Sequence, residues 1–313
     1  EQQAQGGQTG GQLQRLGTVA PTAGLGQQGH GAVTGGHGGA LQGNLRFRDT
    51  AVGGLQQRVG IHQGRRQQPA VGRNGLQPPL GSQSLSLRTD GGDGTLLRAG
   101  KLAFSHRVPV LGVNLGRLGF LADLSPQQVT IGLDAILAGR FVAEDRFVLQ
   151  CEILRDGQPV TVQHALNDVV IQRWNTARLI TLNTYVDGRF VHTQRSDGMI
   201  VSTPTGSTAY ALSGGGPILD PSLEAIVLVP ICPHTLTNRP FVISNSARVE
   251  IDVASDNAED ARVTADGYPM PTLAVGDRIR ITRHAESVRL IHPTGHDHFA
   301  TLRAKLHWGR SPC

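Results

Sequence analysis

Three things are scarce in this 313-residue chain, and each scarcity excludes a class of protein. The cysteines are only Cys151, Cys232 and Cys313, far apart and without a CxxC pair. An odd, scattered set is neither a disulfide framework nor a zinc-finger-type site, and it fits a reducing compartment. No stretch approaches ~18 consecutive apolar residues, the length a membrane-spanning helix needs, and no apolar core of a secretory signal stands near the start. Acids are scarce only at the beginning: residues 1–89 carry eight arginines against Glu1 and Asp49, whereas residues 90–313 carry 21 basic and 22 acidic groups. The high pI, about 9.6, is therefore a property of the first segment. The remainder shows no Lys/Arg run interleaved with aromatics, which argues against a nucleic-acid partner.

Residues 1–89 hold 21 of the 41 glycines and 16 glutamines. Their apolar residues follow neither helical nor strand period, and no unit recurs at solenoid spacing. Such a segment cannot bury enough apolar surface to offset ~1–2 kcal/mol of backbone entropy per residue. The absence of methionine before Met199 and the abrupt change near residue 90 favour a segment that is not the authentic N-terminus. A disordered extension and an Arg-rich targeting peptide are the other readings.

At Gly91-Gly92-Asp93-Gly94-Thr95 the texture changes. Glycines let backbone approach a ligand closely, and free N–H groups at a loop-to-helix junction suit phosphate. The acid among them must hold a metal, accept a proton or bond a sugar hydroxyl; a tight Asp-Gly surface turn is the competing reading. The spacing predicts a short helix over 95–105, then a buried parallel strand over 108–114. A glycine-punctuated loop runs to Leu124. Ser125-Pro126-Gln127-Gln128 then starts a second helix, with Ser at N-cap, Pro at N1 and Gln at N3.

Beyond Phe141, alternating apolar residues and Asp-Gly turns at 156–157 and 187–188 predict a series of short strands: 147–153, 159–164, 169–171, 180–186, 190–191, 199–202, 226–229, 249–253, 278–282 and 288–291. The architecture expected is α/β plus β. A partial Rossmann-like α/β unit (90–124) leads into a larger β-sandwich-like domain (125–290), and a tail (291–313) packs back on the α/β unit.

Three further stretches carry polar chemistry. Asn167-Asp168 interrupts apolar strand residues, either as a strand end or as a pair that bonds a hydroxyl-rich ligand. Ser202-Thr203-Pro204-Thr205-Gly206-Ser207-Thr208-Ala209-Tyr210 follows an apolar strand and leads to Ala211-Leu212-Ser213. It reads as a strand-turn-helix junction that exposes N–H and O–H groups to a nucleotide or sugar, or else as an N-capped helix with a satisfied hydroxyl cluster. Arg195-Ser196-Asp197-Gly198 is a ligand contact or a surface ion pair. Gly94 to Lys101 departs from P-loop spacing, and Gly214-Gly215-Gly216 is not a dinucleotide fingerprint. His292, His296, Asp297 and His298 have the look of metal ligands, but in a polar loop near the C-terminus they read as structural or solvated.

Taken in order, Gly-Gly-Asp-Gly at 91–94, Asn167-Asp168, Arg195-Ser196-Asp197-Gly198 and the 203–210 string resemble the NAD kinases, over about residues 91–313. Gly112-Val113-Asn114-Leu115-Gly116, Val229-Pro230-Ile231-Cys232-Pro233-His234 and Leu290-Ile291-His292-Pro293 add to the likeness. The resemblance implies transfer of the γ-phosphoryl of ATP, or a phosphoryl of inorganic polyphosphate, to the adenosine 2′-hydroxyl of NAD, giving NADP. It implies Asp93 as general base, a phosphate loop of Gly91, Gly92, Gly94 and Thr95, and Mg2+ as a divalent cation on the donor. It places Gly94, Arg98, Asn167, Asp168, Arg178, Arg195, Asp197 and Thr208, Ala209, Tyr210, Ala211, Leu212 and Ser213 around NAD. It also implies a cytoplasmic homo-oligomer, dimer or tetramer, with no membrane and no nucleic-acid partner. The sequence departs from the family before Gly91, where Leu85-Ser86-Leu87-Arg88-Thr89-Asp90 replaces an apolar strand, and at Asp266-Gly267-Tyr268, where Asp-Gly-Gln is common. The competing readings are a lipid kinase sharing the Gly-Gly-Asp-Gly loop and a catalytically dead nucleotide-binding protein.

Overall fold

The computed structural model describes residues 46–52, 55–61, 87–90, 93–114, 119–175, 177–254 and 258–309, the first three stretches as backbone only. Gly91, Gly92 and Leu115 to Leu118 lie outside these residues, as does most of the 1–89 segment.

The chain enters through a hairpin of β1 (Arg46–Val52) and β2 (Leu55–Ile61). β3 (Leu87–Asp90) follows, leading to α1 (Asp93–Phe104) and β4 (Val110–Val113). β3 supplies the strand for which the polar text before Gly91 has no apolar pattern, and it does so by backbone pairing. It bonds β2 on one side and runs parallel to β4 on the other. The result is a βαβ unit that delivers Asp93 to the first turn of a helix, two residues earlier than the apolar pattern indicates. α1 buries Leu96, Ala99, Ala103 and Phe104 against Val110, Val148, Leu166 and Leu290. Each large side chain withdrawn from water there contributes about 1.5–3 kcal/mol.

The second helix begins as expected. Ser125 N and Oγ both reach Gln128 Oε1, at 3.2 and 3.0 Å, and one 3-10 turn precedes α2 (Val129–Leu137). Val129 and Ile136 pack on Leu111, Val113 and Ile291, so α1 and α2 cover opposite faces of the same parallel strands.

The remaining strands are β5 (Phe141–Arg155), β6 (Gln158–Ala165), β7 (Asp168–Arg173), β8 (Ile180–Val186), β9 (Arg189–Ser196) and β10 (Gly198–Ser202). They continue with β11 (Ala225–Ile231), β12 (Phe241–Ser244), β13 (Val249–Val253), β14 (Ala261–Ala265), β15 (Tyr268–Pro269) and β16 (Arg278–Pro293). A short α3 (Tyr210–Ser213) follows β10, and α4 (His298–Leu306) ends the described chain.

One ten-stranded sheet runs β1-β2-β3-β4-β16-β13-β8-β9, with β5 and β6 branching from β16; a six-stranded sheet runs β12-β11-β10-β7-β14-β15. Alternate residues of β5, β8, β13 and β16 meet those of β7, β10, β11 and β14 in a single apolar layer. The expected α/β unit and β-sandwich are therefore both present, and they share β16. That strand is one 16-residue element, not the two expected; a register shift between Arg283 and Ser287 against β5 interrupts its apolar pattern. β12, β14 and β15 were not anticipated. Among the described residues no helix is long and apolar enough to cross a membrane.

Candidate active site

α1 sets the geometry. Asp93, Leu97 and Lys101 recur at i, i+4 and i+8 and so lie along one stripe of the helix. At the top of that stripe the Asp93 carboxylate accepts two backbone hydrogen bonds, from Phe120 N at 2.8 Å and from Leu121 N at 3.3 Å. These N–H groups fix the carboxylate while leaving it acceptor capacity for a third partner. Gly119 makes the approach possible. A Cβ there would stand 1.9 Å from Asp93 Oδ1 and 2.7 Å from its Cγ. Gly119→Ala should therefore push the carboxylate aside without touching the core. A misplacement of about 1 Å at a reacting group costs on the order of 10²-fold in rate, so kcat should fall by about that factor while the melting temperature stays within a few degrees. A variant with normal kcat would mean the carboxylate position is not critical.

At the foot of the stripe, Lys101 Nζ donates to Ala265 O at 3.1 Å and pairs with Asp266 Oδ2 at 3.4 Å. The Asp266 side chain is fully buried. Its two oxygens accept from the backbone N–H groups of Leu166 at 2.9 Å, Asn167 at 2.8 Å and Asp168 at 3.3 Å. Asp266-Gly267 is a turn with φ of 50° and 77°, the primed geometry that suits a two-residue hairpin. This clamp fixes the β6–β7 corner and presents Asn167 and Asp168. The Asn167 Oδ1 atom is buried without a hydrogen-bond partner. Burial first, and the neighbouring Asp266 charge second, push the Asp168 carboxyl up to about 7, with Lys101 pulling the other way.

The third wall comes from the segment after β10, and here the structure corrects the reading of exposed hydroxyls. Ser202, Thr203, Thr205 and Ser207 are buried. Thr203 Oγ1 donates to Leu166 O at 2.6 Å, Ser202 Oγ to Asn167 O at 3.2 Å, and Ser207 Oγ to Pro204 O at 2.6 Å. The hydroxyls thus staple this turn to the β6–β7 corner. Gly206 lets the two backbones meet, since a Cβ there would lie 2.2 Å from Asn167 O. Only the end of the segment, Ala209 and Tyr210, reaches the open side.

These elements enclose a cleft of about 530 Å³ whose lining includes Leu97, Asn167, Asp168, Ala209, Tyr210 and Asp266. At its rim the Arg262 guanidinium lies 4.0 Å from the Trp174 ring centroid, a flat cationic-aromatic platform. Of the other residues singled out from sequence, Gly94, Arg98, Arg178, Arg195 and Ser213 are exposed, and none lines this cleft. Thr95, Thr208 and Leu212 are half-buried, and Ala211 packs in the apolar cluster beneath Ile200 and Val229. Asp197 pairs with Arg173 at 2.7 Å. Gly91 and Gly92 lie outside the described residues. Cys151 sits in the sandwich core, where burial pushes its thiol up to about 12.

Sequence reasoning missed Lys101, Gly119, Trp174 and Arg262, and it treated Asp266 only as a point of departure from a pattern. The one available signal was Asp266-Gly267 itself, a third Asp-Gly of the kind read correctly as turns at 156–157 and 187–188.

Family descriptions match both parts of the chain: the ATP-NAD kinase N-terminal domain over residues 89–141 and the ATP-NAD kinase C-terminal domain over residues 166–293. The NAD kinase of Nitrosococcus oceani is 52% identical over 220 residues, 70% of this chain and 75% of that protein. The NAD kinase of Methylococcus capsulatus is 48% identical over 240 residues, 77% and 83% of the two chains. Among solved structures, yeast NADH kinase complexed with NADH superposes with a TM-score of 0.68 at 32% identity, covering 73% of this chain and 67% of that one. An NAD kinase from Archaeoglobus fulgidus in complex with ATP superposes with a TM-score of 0.59 at 30% identity, covering 70% and 82%.

Proposed function

The chain belongs to the NAD kinase family, and from that premise we propose that this enzyme, which phosphorylates NAD to NADP, takes its phosphoryl group from ATP and uses Asp93 as the base. The observation that carries this reading is the α1 stripe: a carboxylate held by two backbone N–H groups, one turn from Leu97 in the wall of the cleft.

NAD lies in the cleft, with its ribose hydroxyls against Asn167 and Asp168 and its base on Tyr210. The adenosine 2′-hydroxyl gives its proton to Asp93 as its oxygen bonds the γ-phosphorus, and the bond to the β-phosphate oxygen breaks to release ADP. General-base help of this kind contributes typically ~10²–10⁴-fold. Alignment and charge stabilisation supply most of the remainder. The Asp93 carboxylate is the ligand oxygen that the stripe offers, and among the described residues no group of three or more candidate ligand side chains stands there. A magnesium ion carried on the donor phosphates fits that donor set and would neutralise their charge. Arg178, Arg195 and Asp197 stand off the cleft within one chain, which suits a homo-oligomer, dimer or tetramer, in which they meet NAD bound to a neighbouring copy. A monomer mass by light scattering would overturn the oligomer.

The test is NADP formation from NAD and magnesium-ATP, with polyphosphate in a parallel reaction. Product from polyphosphate alone would overturn the ATP assignment. Run across pH, the same assay reads Asp168. The native fold holds that proton more tightly than the unfolded chain, so the group's contribution to stability declines as pH rises from about 4 to about 7. Over the upper part of that range it becomes the carboxylate that accepts ribose hydroxyls. Its ionised fraction rises about tenfold between about pH 6 and about pH 8, so KM for NAD should fall by about that factor. Asp168→Asn should flatten the profile, and an unchanged profile in that variant would remove Asp168 from NAD binding.

A further inference from the structure

A second polar constellation lies outside the cleft, where the end of β16 and the turn before α4 meet the 119–124 segment and β5. The imidazoles of His292 and His296 stack with centroids 4.0 Å apart and planes at 23°. One edge of this pair faces Asp123: His292 Nδ1 bonds Asp123 Oδ2, and His296 Nδ1 lies 3.2 Å from Asp123 Oδ1. The other edge faces Glu144, with His292 Nε2 3.7 Å from Oε2 and His296 Nε2 3.9 Å from Oε1. Both side chains are more than nine-tenths buried, at 2% and 7% exposure. Neither Nε2 atom has a hydrogen-bond partner.

Two sealed, unpartnered imidazole nitrogens are costly, and native structures seldom keep them without a reason. The separations from Glu144 are too long for hydrogen bonds. They exceed by a few tenths of an ångström the roughly 3.3–3.6 Å between two ligands of a tetrahedral ion held at about 2.0–2.2 Å from each, so a small inward shift of the side chains would close the site. Asp123 completes the pattern. A carboxylate accepting both Nδ1–H groups fixes the tautomer in which the Nε2 lone pairs face Glu144, as carboxylates do behind metal-ligating histidines; the stacked rings would splay for both lone pairs to meet one ion. Two imidazoles and a carboxylate suit zinc, whereas magnesium and calcium prefer oxygen alone. Arg146, which also bonds Glu144, balances the second charge of the Asp123–Glu144 pair.

We propose that His292, His296 and Glu144 bind one zinc-class divalent ion, with Asp123 as the positioning carboxylate. The ion would tie the chain's last strand and α4 to the segment that serves the active site. Asp123 lies two residues beyond Leu121, whose N–H, with that of Phe120, holds Asp93. Lys305 of α4 reaches back to within 5.1 Å of the Phe120 ring centroid.

The test uses the full chain, stripped with a chelator and titrated with Zn2+ against a colorimetric competitor, with bound metal counted by mass spectrometry. Cys232, an exposed thiol, is replaced by serine in all samples to remove its background. The expected result is one tightly held ion per chain and a melting temperature raised by about 5 °C or more. His296→Gln should abolish stoichiometric binding, and Asp123→Asn should weaken it about 10–100-fold. Cobalt in place of zinc should give visible ligand-field bands that His296→Gln removes, a signal independent of activity. Wild-type binding no stronger than that of His296→Gln, or a melting temperature indifferent to stoichiometric zinc, would overturn the site.

Discussion

Replacing Asp93 with asparagine should abolish turnover while leaving NAD binding nearly intact. The expected loss in kcat is at least about 10²–10⁴-fold, the range a positioned base contributes, and KM for NAD should change by no more than about threefold. Asparagine keeps the shape of the side chain but cannot take the proton from the 2′-hydroxyl. It also has one acceptor oxygen where aspartate has two, so only one of the Phe120 and Leu121 N–H groups keeps its partner. The other is left facing an amide N–H, a cost of about 1–3 kcal/mol. A lower melting temperature is therefore part of the expectation. NAD titration followed by intrinsic fluorescence, together with a thermal melt, separates a chemical loss from a folding loss. Near-normal kcat would show that Asp93 is not the base. Comparison with Gly119→Ala isolates position from chemistry, because that variant keeps the carboxyl group and moves it. A loss of rate in Asp93→Asn well beyond that in Gly119→Ala, with NAD bound by both variants, identifies the proton acceptor.

The parts of this fold that sequence makes legible are those governed by local period. α1, β8 and β13 follow from apolar spacing, and the capping at Ser125 follows from four consecutive residues. β3 does not, because backbone pairing between β2 and β4 holds it and pairing leaves no side-chain pattern. β16 reads as two strands because the register shift near Arg283 breaks its alternation. The candidate site divides in the same way. Asp93, Asn167, Asp168 and Tyr210 are visible as polar residues at the ends of apolar runs. The Ser/Thr run at 202–208 is visible too, but its hydroxyls spend themselves inward on Leu166, Asn167 and Pro204. Free and satisfied hydroxyls look alike in one dimension. The contact from Asp266 to Leu166 spans 100 residues, and no local rule reaches that far.

That contact supports the other large effect. Asp266→Ala should destabilise the fold by about 3–5 kcal/mol, the usual cost of breaking a buried charged pair. The figure has two sources here. Three backbone N–H groups, from Leu166, Asn167 and Asp168, lose their acceptor, and Lys101 loses its counter-ion. For a chain of this size the melting temperature should fall by roughly 10 °C or more. The functional loss should exceed what reduced stability explains, because Asp266 holds the corner that presents Asn167 and Asp168. NAD affinity measured well below the melting temperature should drop by at least about 100-fold. Asp266→Asn serves as the graded control. Its remaining oxygen can keep the Oδ1 contacts with Asn167 and Asp168, while its amide nitrogen faces Leu166 N and Lys101. It should fold, and it should lose less affinity than the alanine variant. An alanine variant that melts like wild type would show that the β6–β7 corner holds itself. One that melts low but binds NAD normally would confine Asp266 to stability and leave the placing of Asn167 and Asp168 to the stapled turn at 203–206.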